Sequence, residues 1–104
     1  MWWVLGGIAA VTLYNLMKNW GWERNYRRTD EDINRLPEAP GVYILHFPGL
    51  QAVYIGSTNN LRRRLKEHKR QKPGWSSFDW CQTNTVERAR VLEKKLRDEV
   101  SVRQ

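Results

Sequence analysis

Two runs of β-forming residues stand on either side of a Pro-Gly pair near the middle of the chain, and no other feature limits the fold as strongly. The runs are GVYILHF at 41–47 and QAVYIG at 51–56. Short β-rich runs separated by turn-forming residues predict a β-hairpin. Centring the turn on the Pro-Gly pair places Tyr43 directly opposite Tyr54 on one face of the sheet. The other face is then apolar, with Val42, Ile44, Val53 and Ile55.

After the hairpin the pattern predicts a helix, a strand and a second helix. These are LRRRLKEHKRQ at 61–71, SSFDWCQ at 76–82, and a helix from about Thr85 to near the end of the chain. Asn84 and Glu87 have the spacing of a capping box for the last helix, with Asn84 as its N-cap. The inward stripe of that helix is Ala89, Leu92, Glu93, Leu96 and Val100.

The N-terminal segment is uncharged over residues 2–17, and its apolar side chains would cover all sides of a helix. A helix from Trp2 to Lys18 would rise about 25 Å, close to the thickness of a bilayer's hydrocarbon core. Tryptophans mark both ends, and cations follow only on the C-terminal side, which would keep the remainder in the cytoplasm. We expect residues 1–19 to form a separate apolar helix that anchors the chain to a membrane through residues 2–19. A buried helix packing on the domain or on a partner is the alternative.

Residues 20–38 are polar and carry mixed charge. Thr29 precedes three acidic residues, and acids are favourable at a helix N-terminus. We expect a juxtamembrane linker here, with one or two turns of helix, that is closed by Pro37 and Pro40. The domain that follows is predicted to span residues 39–104.

Positive charge is concentrated in that domain. The chain has a net charge of +7, and residues 37–104 contribute most of it, with thirteen Lys/Arg against seven Asp/Glu. Such a surplus favours a polyanion such as nucleic acid as the partner. The alternative is a solvated surface that only keeps the protein soluble. The single cysteine, Cys81, excludes an internal disulfide, and with the two histidines it lacks the spacing of a zinc site.

Several polar residues occupy positions where apolar residues are expected. Arg64 and His68 share the inward stripe of the helix at 61–71, and Glu93 lies within the stripe of the last helix. Buried charge is costly unless it is paired or used. These residues and the two tyrosines are therefore candidates for a single phosphoryl-transfer site.

Each of these residues also has a purely structural explanation. The tyrosines could be a packed cross-strand pair, and Arg64 could be one exposed base in a run of three. Glu93 could form an ion pair with Arg90 or Arg97, which lie about one helical turn away. His46 lies next to the hairpin turn, and we expect it to be a surface residue.

Taken together, these residues resemble the signature of the GIY-YIG nuclease superfamily. The matching residues are Gly41-Val42-Tyr43, Tyr54-Ile55-Gly56 with its tyrosine eleven residues after the first, Arg64 ten residues later, His68 one turn beyond, and Glu93 in a later helix. Val42 replaces the isoleucine of the first tripeptide. The resemblance covers essentially all of residues 39–100.

The resemblance implies an α/β domain, a small three-stranded antiparallel sheet flanked by helices, that hydrolyses phosphodiesters with one metal ion. Glu93 would hold Mg²⁺ or Mn²⁺, and Arg64 would neutralise charge on the phosphate. Tyr54 or Tyr43 would orient or deprotonate the attacking water, and His68 would assist the water or contact phosphate. No small-molecule cofactor is expected, and the sequence does not indicate an oligomeric state.

The helix at 61–71 also carries five cations off its inward stripe, and these are expected to contact DNA phosphates. They are Arg62, Arg63, Lys66, Lys69 and Arg70. Phosphate contacts position DNA without discriminating between sequences. We therefore expect a divalent-metal-dependent DNA endonuclease of low intrinsic sequence specificity. The alternatives are a catalytically silent nucleic-acid-binding module tethered to a membrane, and an adaptor for an acidic protein or anionic lipid.

Overall fold

The structure is a computed structural model that describes residues 2–5 and 21–102, with side chains described over residues 21–98. In chain order the elements are β1 (Trp2–Leu5), β2 (Glu23–Arg27), α1 (Asp30–Asn34), β3 (Gly41–Phe47), a 3-10 turn (Pro48–Leu50), β4 (Ala52–Thr58), α2 (Leu61–Gln71), β5 (Ser77–Gln82) and α3 (Val86–Val102). The strands form one sheet in the order β1-β4-β3-β5-β2, and each pair of neighbouring strands is antiparallel.

The sheet is wider than the three strands expected. The predicted strands are β4, β3 and β5, which lie side by side, and β2 extends the sheet beyond β5. The part of the sheet within residues 21–102 thus has four strands, and β1 lies outside β4. The pattern of the sequence misses β2 because it is an edge strand in which only Tyr26 is even half-buried. Such a strand is held by backbone pairing and shows no apolar alternation.

Residues 23–36 are part of this packed structure and not the polar linker expected from the sequence. The short helix was predicted correctly, and the Thr29 side chain caps it by accepting from the Asp32 amide at 3.2 Å. Ile33 and Leu36 are completely buried in the core on one face of the sheet. Two apolar residues in a polar segment were too few to reveal this packing.

The N-terminal segment departs from the predicted helix where the structure describes it. Trp2–Leu5 is a strand, in which Trp3 pairs with Tyr54 and Leu5 with Ala52 of β4. The prediction of a helix is therefore wrong at residues 2–5, and the rest of the predicted span lies outside the described residues. An uncharged apolar run is compatible with a buried strand as well as a helix, and periodicity does not distinguish the two. Over the residues described, no helix is both long enough and apolar enough to cross a membrane.

The hairpin forms with a longer turn than expected. Phe47 and Ala52 are its last pair, and the four residues between them include the 3-10 turn and Gln51, which adopts a left-handed φ of 49°. The register consequently differs from the predicted one by two residues: Tyr43 pairs with Gly56, and Tyr54 pairs with Leu45. The tyrosines are diagonal neighbours and do not face each other directly. A shift of two keeps every side chain on its predicted face, because the side-chain period of a strand is two.

Each face of the sheet is covered by helices. α3 packs on the face that carries Val42, Ile44, Val53 and Ile55, through Ala89 and Leu96. The opposite face carries Tyr43, Leu45, Phe47 and Tyr54, and it packs against α2 and the segment around α1. Both faces are thus buried as the alternation of residues 42–55 predicts.

The helices that carry candidate site residues begin close to where they were expected. α2 spans the predicted residues, and the Asn60 side chain caps it by accepting from the Arg63 amide at 3.0 Å. At the start of α3, Thr85 Oγ1 accepts from the Arg88 amide at 3.1 Å, so Thr85 has the capping role predicted for Asn84. Along the inward stripe of α3, Ala89 and Leu96 are buried; the side chain of Val100 lies outside the described residues.

Candidate active site

The two tripeptides of the hairpin meet where Tyr43 lies over Gly56. Tyr43 is completely buried, and its strand partner in the register is Gly56. A Cβ atom added to Gly56 would lie 2.5 Å from Tyr43 Cζ, which no real contact allows. The glycine is therefore needed for the close approach of the phenol, not for a special backbone angle. The pairing fixes the position of the Tyr43 ring above the end of β4.

Tyr43 and His68 form the central polar contact of the site. Tyr43 Oη lies 2.8 Å from His68 Nε2, and both side chains are buried. Burial, together with the positive charges of Arg64 and Lys72, lowers the pKa of His68 to about 4. Burial also raises the pKa of Tyr43 to about 12, against the opposing effect of Arg64. Both groups are neutral near pH 7, and the phenol donates to Nε2 when the imidazole carries its proton on Nδ1.

Arg64 lies one helical turn before His68 and borders the same site. Its guanidinium lies beside the Tyr43 side chain and interacts with it, and its Nη1 lies 3.6 Å from Glu67 Oε1. The Arg64 side chain is 27% exposed, whereas the neighbouring Arg63 lies on the exposed side of the helix. The predicted difference is thus present between Arg64 and Arg63, whereas Arg62 is also half-buried, with 34% of its side chain exposed.

The Tyr54 ring contacts two side chains: that of His68 in α2, and that of Lys72, the residue after this helix. The His68 ring meets it edge-on at a centroid distance of 5.5 Å, and Lys72 Nζ lies 4.5 Å from its centroid. Burial raises the pKa of Tyr54. Lys72 was not singled out from the sequence, although it continues the inward stripe four residues after His68. Its position just after the last helical residue concealed that relation.

Glu93 reaches the end of β4 from the other face of the sheet. It is only 8% exposed, and its Oε1 accepts from Ser57 Oγ at 2.6 Å. Arg97 Nη1 lies 3.8 Å from Oε2, so one of the two ion pairs considered from the sequence is present. The negative charge of Glu93 acts to raise the pKa of both Tyr43 and Tyr54. Ser57 was not among the candidate site residues, yet it directly follows the second tripeptide and donates to the carboxylate.

The donor set around Glu93 suits a hard, mostly hydrated cation. Over the described residues no three His, Cys, Asp or Glu side chains come together, so a cage of protein ligands is absent there. Mg²⁺ is commonly held by one or two carboxylates and keeps several waters. A single buried carboxylate with a hydroxyl beside it fits that pattern, as Glu93 and Ser57 do.

The five cations predicted to contact DNA divide into two groups. Arg62 Nε donates to the Leu36 carbonyl at 2.9 Å, and Lys69 Nζ lies 2.9 Å from Asp30 Oδ1, so both hold α2 against the α1 segment. Arg63, Lys66 and Arg70 are exposed on the outer surface of α2. These three are better placed than the other two to contact a phosphate backbone.

His46 is not the simple surface residue that its place near the turn suggested. Its Nε2 lies 2.6 Å from Oδ2 of the buried Asp79, and Asp79 Oδ1 accepts from the Asn25 amide at 2.9 Å. The contact therefore joins β3, β5 and β2. His46 shares strand parity with Val42 and Ile44, and this parity was the sequence feature that could have revealed it.

Comparison with known proteins identifies the family of the domain that carries this arrangement. The model of the GIY-YIG catalytic domain matches residues 39–98, more than half of the chain. The UvrABC system protein C of Methanosphaera stadtmanae is 32% identical over 75 residues, which cover 61% of this chain and 12% of that protein. The UvrABC system protein C of Deinococcus radiodurans is 47% identical over 38 residues, which cover 36% of this chain and 6% of that protein. The chain thus corresponds to a small part of the length of these relatives.

A solved structure has the same fold. It is the GIY-YIG N-terminal endonuclease domain of UvrC from Thermotoga maritima, a point mutant bound to its catalytic divalent cation, with a TM-score of 0.57 and 24% identity over 68% of this chain and 87% of that one. At this identity the likeness establishes the fold, an antiparallel sheet flanked by helices. The family itself is established by the match over residues 39–98. This chain therefore belongs to the GIY-YIG family, and those residues are its catalytic domain.

Proposed function

We propose that the domain is a divalent-metal-dependent endonuclease that hydrolyses DNA phosphodiester bonds with little sequence specificity of its own. The observation that carries the proposal is the hydrogen bond of 2.8 Å between Tyr43 and His68, with Arg64 beside it and the buried Glu93 at the same end of the sheet. The relatedness to UvrC, and the divalent cation in its solved endonuclease domain, agree with this assignment.

The Tyr43–His68 pair would position the attacking water. Because burial raises the pKa of the phenol to about 12 and lowers that of the imidazole to about 4, full proton transfer between them is strongly unfavourable. In the free protein the pair is therefore a neutral hydrogen bond that orients the phenol oxygen. Tyr43 would act as a base for the attacking water only if its pKa fell below the value of about 12 that burial gives it, and Arg64 beside it acts in that direction.

Arg64 would stabilise the negative charge that develops on the phosphate, and Glu93 would bind the cation. The guanidinium of Arg64 borders Tyr43, where it can approach a non-bridging oxygen of the phosphate as negative charge develops. Glu93, held by Ser57, would bind the divalent cation, which is Mg²⁺ or Mn²⁺ in this proposal. When bound, that cation supplies Lewis-acid stabilisation of the leaving oxygen. Lys72 places a further positive charge beside Tyr54 and His68.

The decisive experiment is plasmid cleavage by the purified full chain with Mg²⁺, with Mn²⁺ and with EDTA. We expect nicked or linear DNA only in the two samples that contain metal, and none with the Glu93→Gln variant. DNA binding without cleavage under any of these conditions would favour the alternative of a silent binding module. Attachment to a membrane and a cytoplasmic location are separate predictions from the sequence, and this experiment does not depend on either.

A further inference from the structure

We propose that a groove between β5 and α3 binds the phosphate backbone of the DNA strand beyond the phosphate that is cleaved. The groove encloses about 370 Å³. The residues that matter for its chemistry are Gln82, Thr83, Asn84, Arg88, Leu92 and Lys95. The inference rests on the proposed function, because it takes DNA as the substrate.

The side chains that line the groove favour the binding of an anion. Its lining residues include two cations and two carboxamides and no carboxylate. Arg88 is exposed, and no carboxylate in residues 21–98 forms an ion pair with its guanidinium. By contrast, the concave surfaces along α2 include acids, Glu38 and Glu67 in one and Asp30 in the other. Cations outnumber acids on those surfaces as well, by four to two and by four to one, so the feature particular to the β5–α3 groove is that no acid lines it.

The local structure leaves two of the groove's donors, Asn84 and Arg88, exposed. Asn84 has the sequence spacing of a helix cap, but Thr85 caps α3, so the Asn84 amide projects from the loop as an exposed group. The loop is held in place because the Thr83 amide donates to the Pro40 carbonyl at 2.8 Å. Arg88 and Lys95 are seven residues apart, which places them on one side of α3 about 10 Å apart along its axis. Leu92, between them, packs against the core.

The groove lies near the candidate active site, at the same end of the sheet. Gly41 pairs with Thr58 of β4 on one side and with Gln82 of β5 on the other. The end of β5, which borders the groove, is therefore about two strand spacings, roughly 10 Å, from the end of β4 where Ser57 donates to Glu93. A strand of duplex DNA rises about 3.4 Å per nucleotide, so roughly three nucleotides span this distance.

The test is the salt dependence of DNA binding by the full chain in EDTA, where the strand is not cut. A fluorescein-labelled duplex is titrated by anisotropy against the unaltered chain, Arg88→Ala and Arg88→Lys. We expect Arg88→Ala to weaken binding and to lower the slope of log K against log salt by about 0.9, the value for one lost phosphate contact. Arg88→Lys should retain the slope because it retains a cation.

The matched control is Lys94→Ala. Lys94 is an exposed cation of the same helix that lies 2.7 Å from Asp98 and outside the groove. Its loss should leave the slope unchanged, and melting temperatures check that every variant is folded. An unchanged slope for Arg88→Ala with intact DNA binding would overturn this inference and leave the proposed function standing. Absence of DNA binding by the unaltered chain, together with absence of plasmid cleavage in Mg²⁺ or Mn²⁺, would instead overturn the proposed function, and the inference with it.

Discussion

At the scale of the residue, the site consists of polar groups that satisfy one another inside a small domain. Tyr43 and His68 share a hydrogen bond, and Glu93 receives one from Ser57. Burying such groups without partners would cost several kcal/mol each. The partners hold each side chain in one orientation before any substrate arrives.

Glu93→Gln separates the charge of the carboxylate from its shape. The carboxamide oxygen can still accept from Ser57 Oγ, so the fold and the binding of DNA should be nearly unchanged. We expect metal-dependent cleavage to fall by at least about 100-fold, since the expected cation ligand loses its charge. Glu87→Gln, at an exposed position in the first turn of the same helix, is the control and should cleave normally. Equal cleavage rates for the two variants would remove Glu93 from the site.

Arg64→Ala tests whether the inward arginine differs from its neighbours. Its guanidinium borders Tyr43, so its loss should lower the cleavage rate about 100-fold or more with saturating DNA. Arg63→Ala removes an exposed cation of the same helix and should mainly weaken binding. Single-turnover rates and binding constants, measured side by side, separate the two effects. Similar modest binding defects in both variants would make Arg64 an ordinary phosphate contact.

The lowered pKa of His68 predicts a loss of stability in acid. The folded state keeps the imidazole neutral down to about pH 4, whereas the unfolded chain takes up a proton below its ordinary pKa of 6.5. Stability from this residue is therefore complete above pH 6.5 and is lost as the pH falls towards 4, by roughly 3 kcal/mol in total. Urea unfolding at pH 7 and pH 4.5 should show a smaller difference for His68→Gln than for the unaltered chain. The same difference in both proteins would contradict the assigned pKa.

At the scale of the element, the sequence predicts those strands and helices whose apolar residues recur periodically. The strands β3, β4 and β5 and the helices α2 and α3 were found because their apolar residues repeat with a period of two or about 3.6. The register was wrong because the length of a turn around Pro-Gly is set by its backbone geometry, here the left-handed Gln51. Ser57 and Lys72 escaped notice because their roles depend on which side chains lie across the sheet.

Gly56→Ala tests the contact that joins the two tripeptides. The added methyl group would lie 2.5 Å from Tyr43 Cζ, so the ring or the strand must move. We expect a loss of about 1–3 kcal/mol of stability, as for other overpacked cores, together with reduced cleavage. Gly49→Ala is the matched control, because nothing lies within 4 Å of a Cβ there. Chemical unfolding compares the two, and equal stability would show that the ring shifts without cost.

At the scale of the whole molecule, the candidate site takes its residues from the sheet and from the helices on both of its faces. Tyr43 and Tyr54 come from the sheet, Arg64 and His68 from the helix on one face, and Glu93 from the helix on the other. The periodicity of the sequence does not predict that helices on opposite faces bring their side chains to the same end of the sheet. From the sequence these residues were candidates for one site, and only the packed structure shows that Ser57 links the hairpin to Glu93.

The N-terminus carries the last prediction, because two accounts of it exclude each other. If Trp2–Leu5 pairs with β4, the uncharged residues left for a membrane span begin at residue 6. A helix over residues 6–19 would rise only about 21 Å, short of a bilayer core of about 30 Å.

Pairing in the sheet should instead make these first residues a source of stability. Deleting residues 1–5 should then lower the melting temperature by several degrees, since backbone hydrogen bonds worth about 1 kcal/mol each are lost. Residues 1–5 carry no charged side chain, so the deletion leaves the charge pattern of the domain intact. The same experiment includes a carbonate wash of membranes from cells that express the full chain. An unchanged melting temperature, with the full chain retained on the washed membranes, would favour the membrane anchor expected from the sequence over the strand β1.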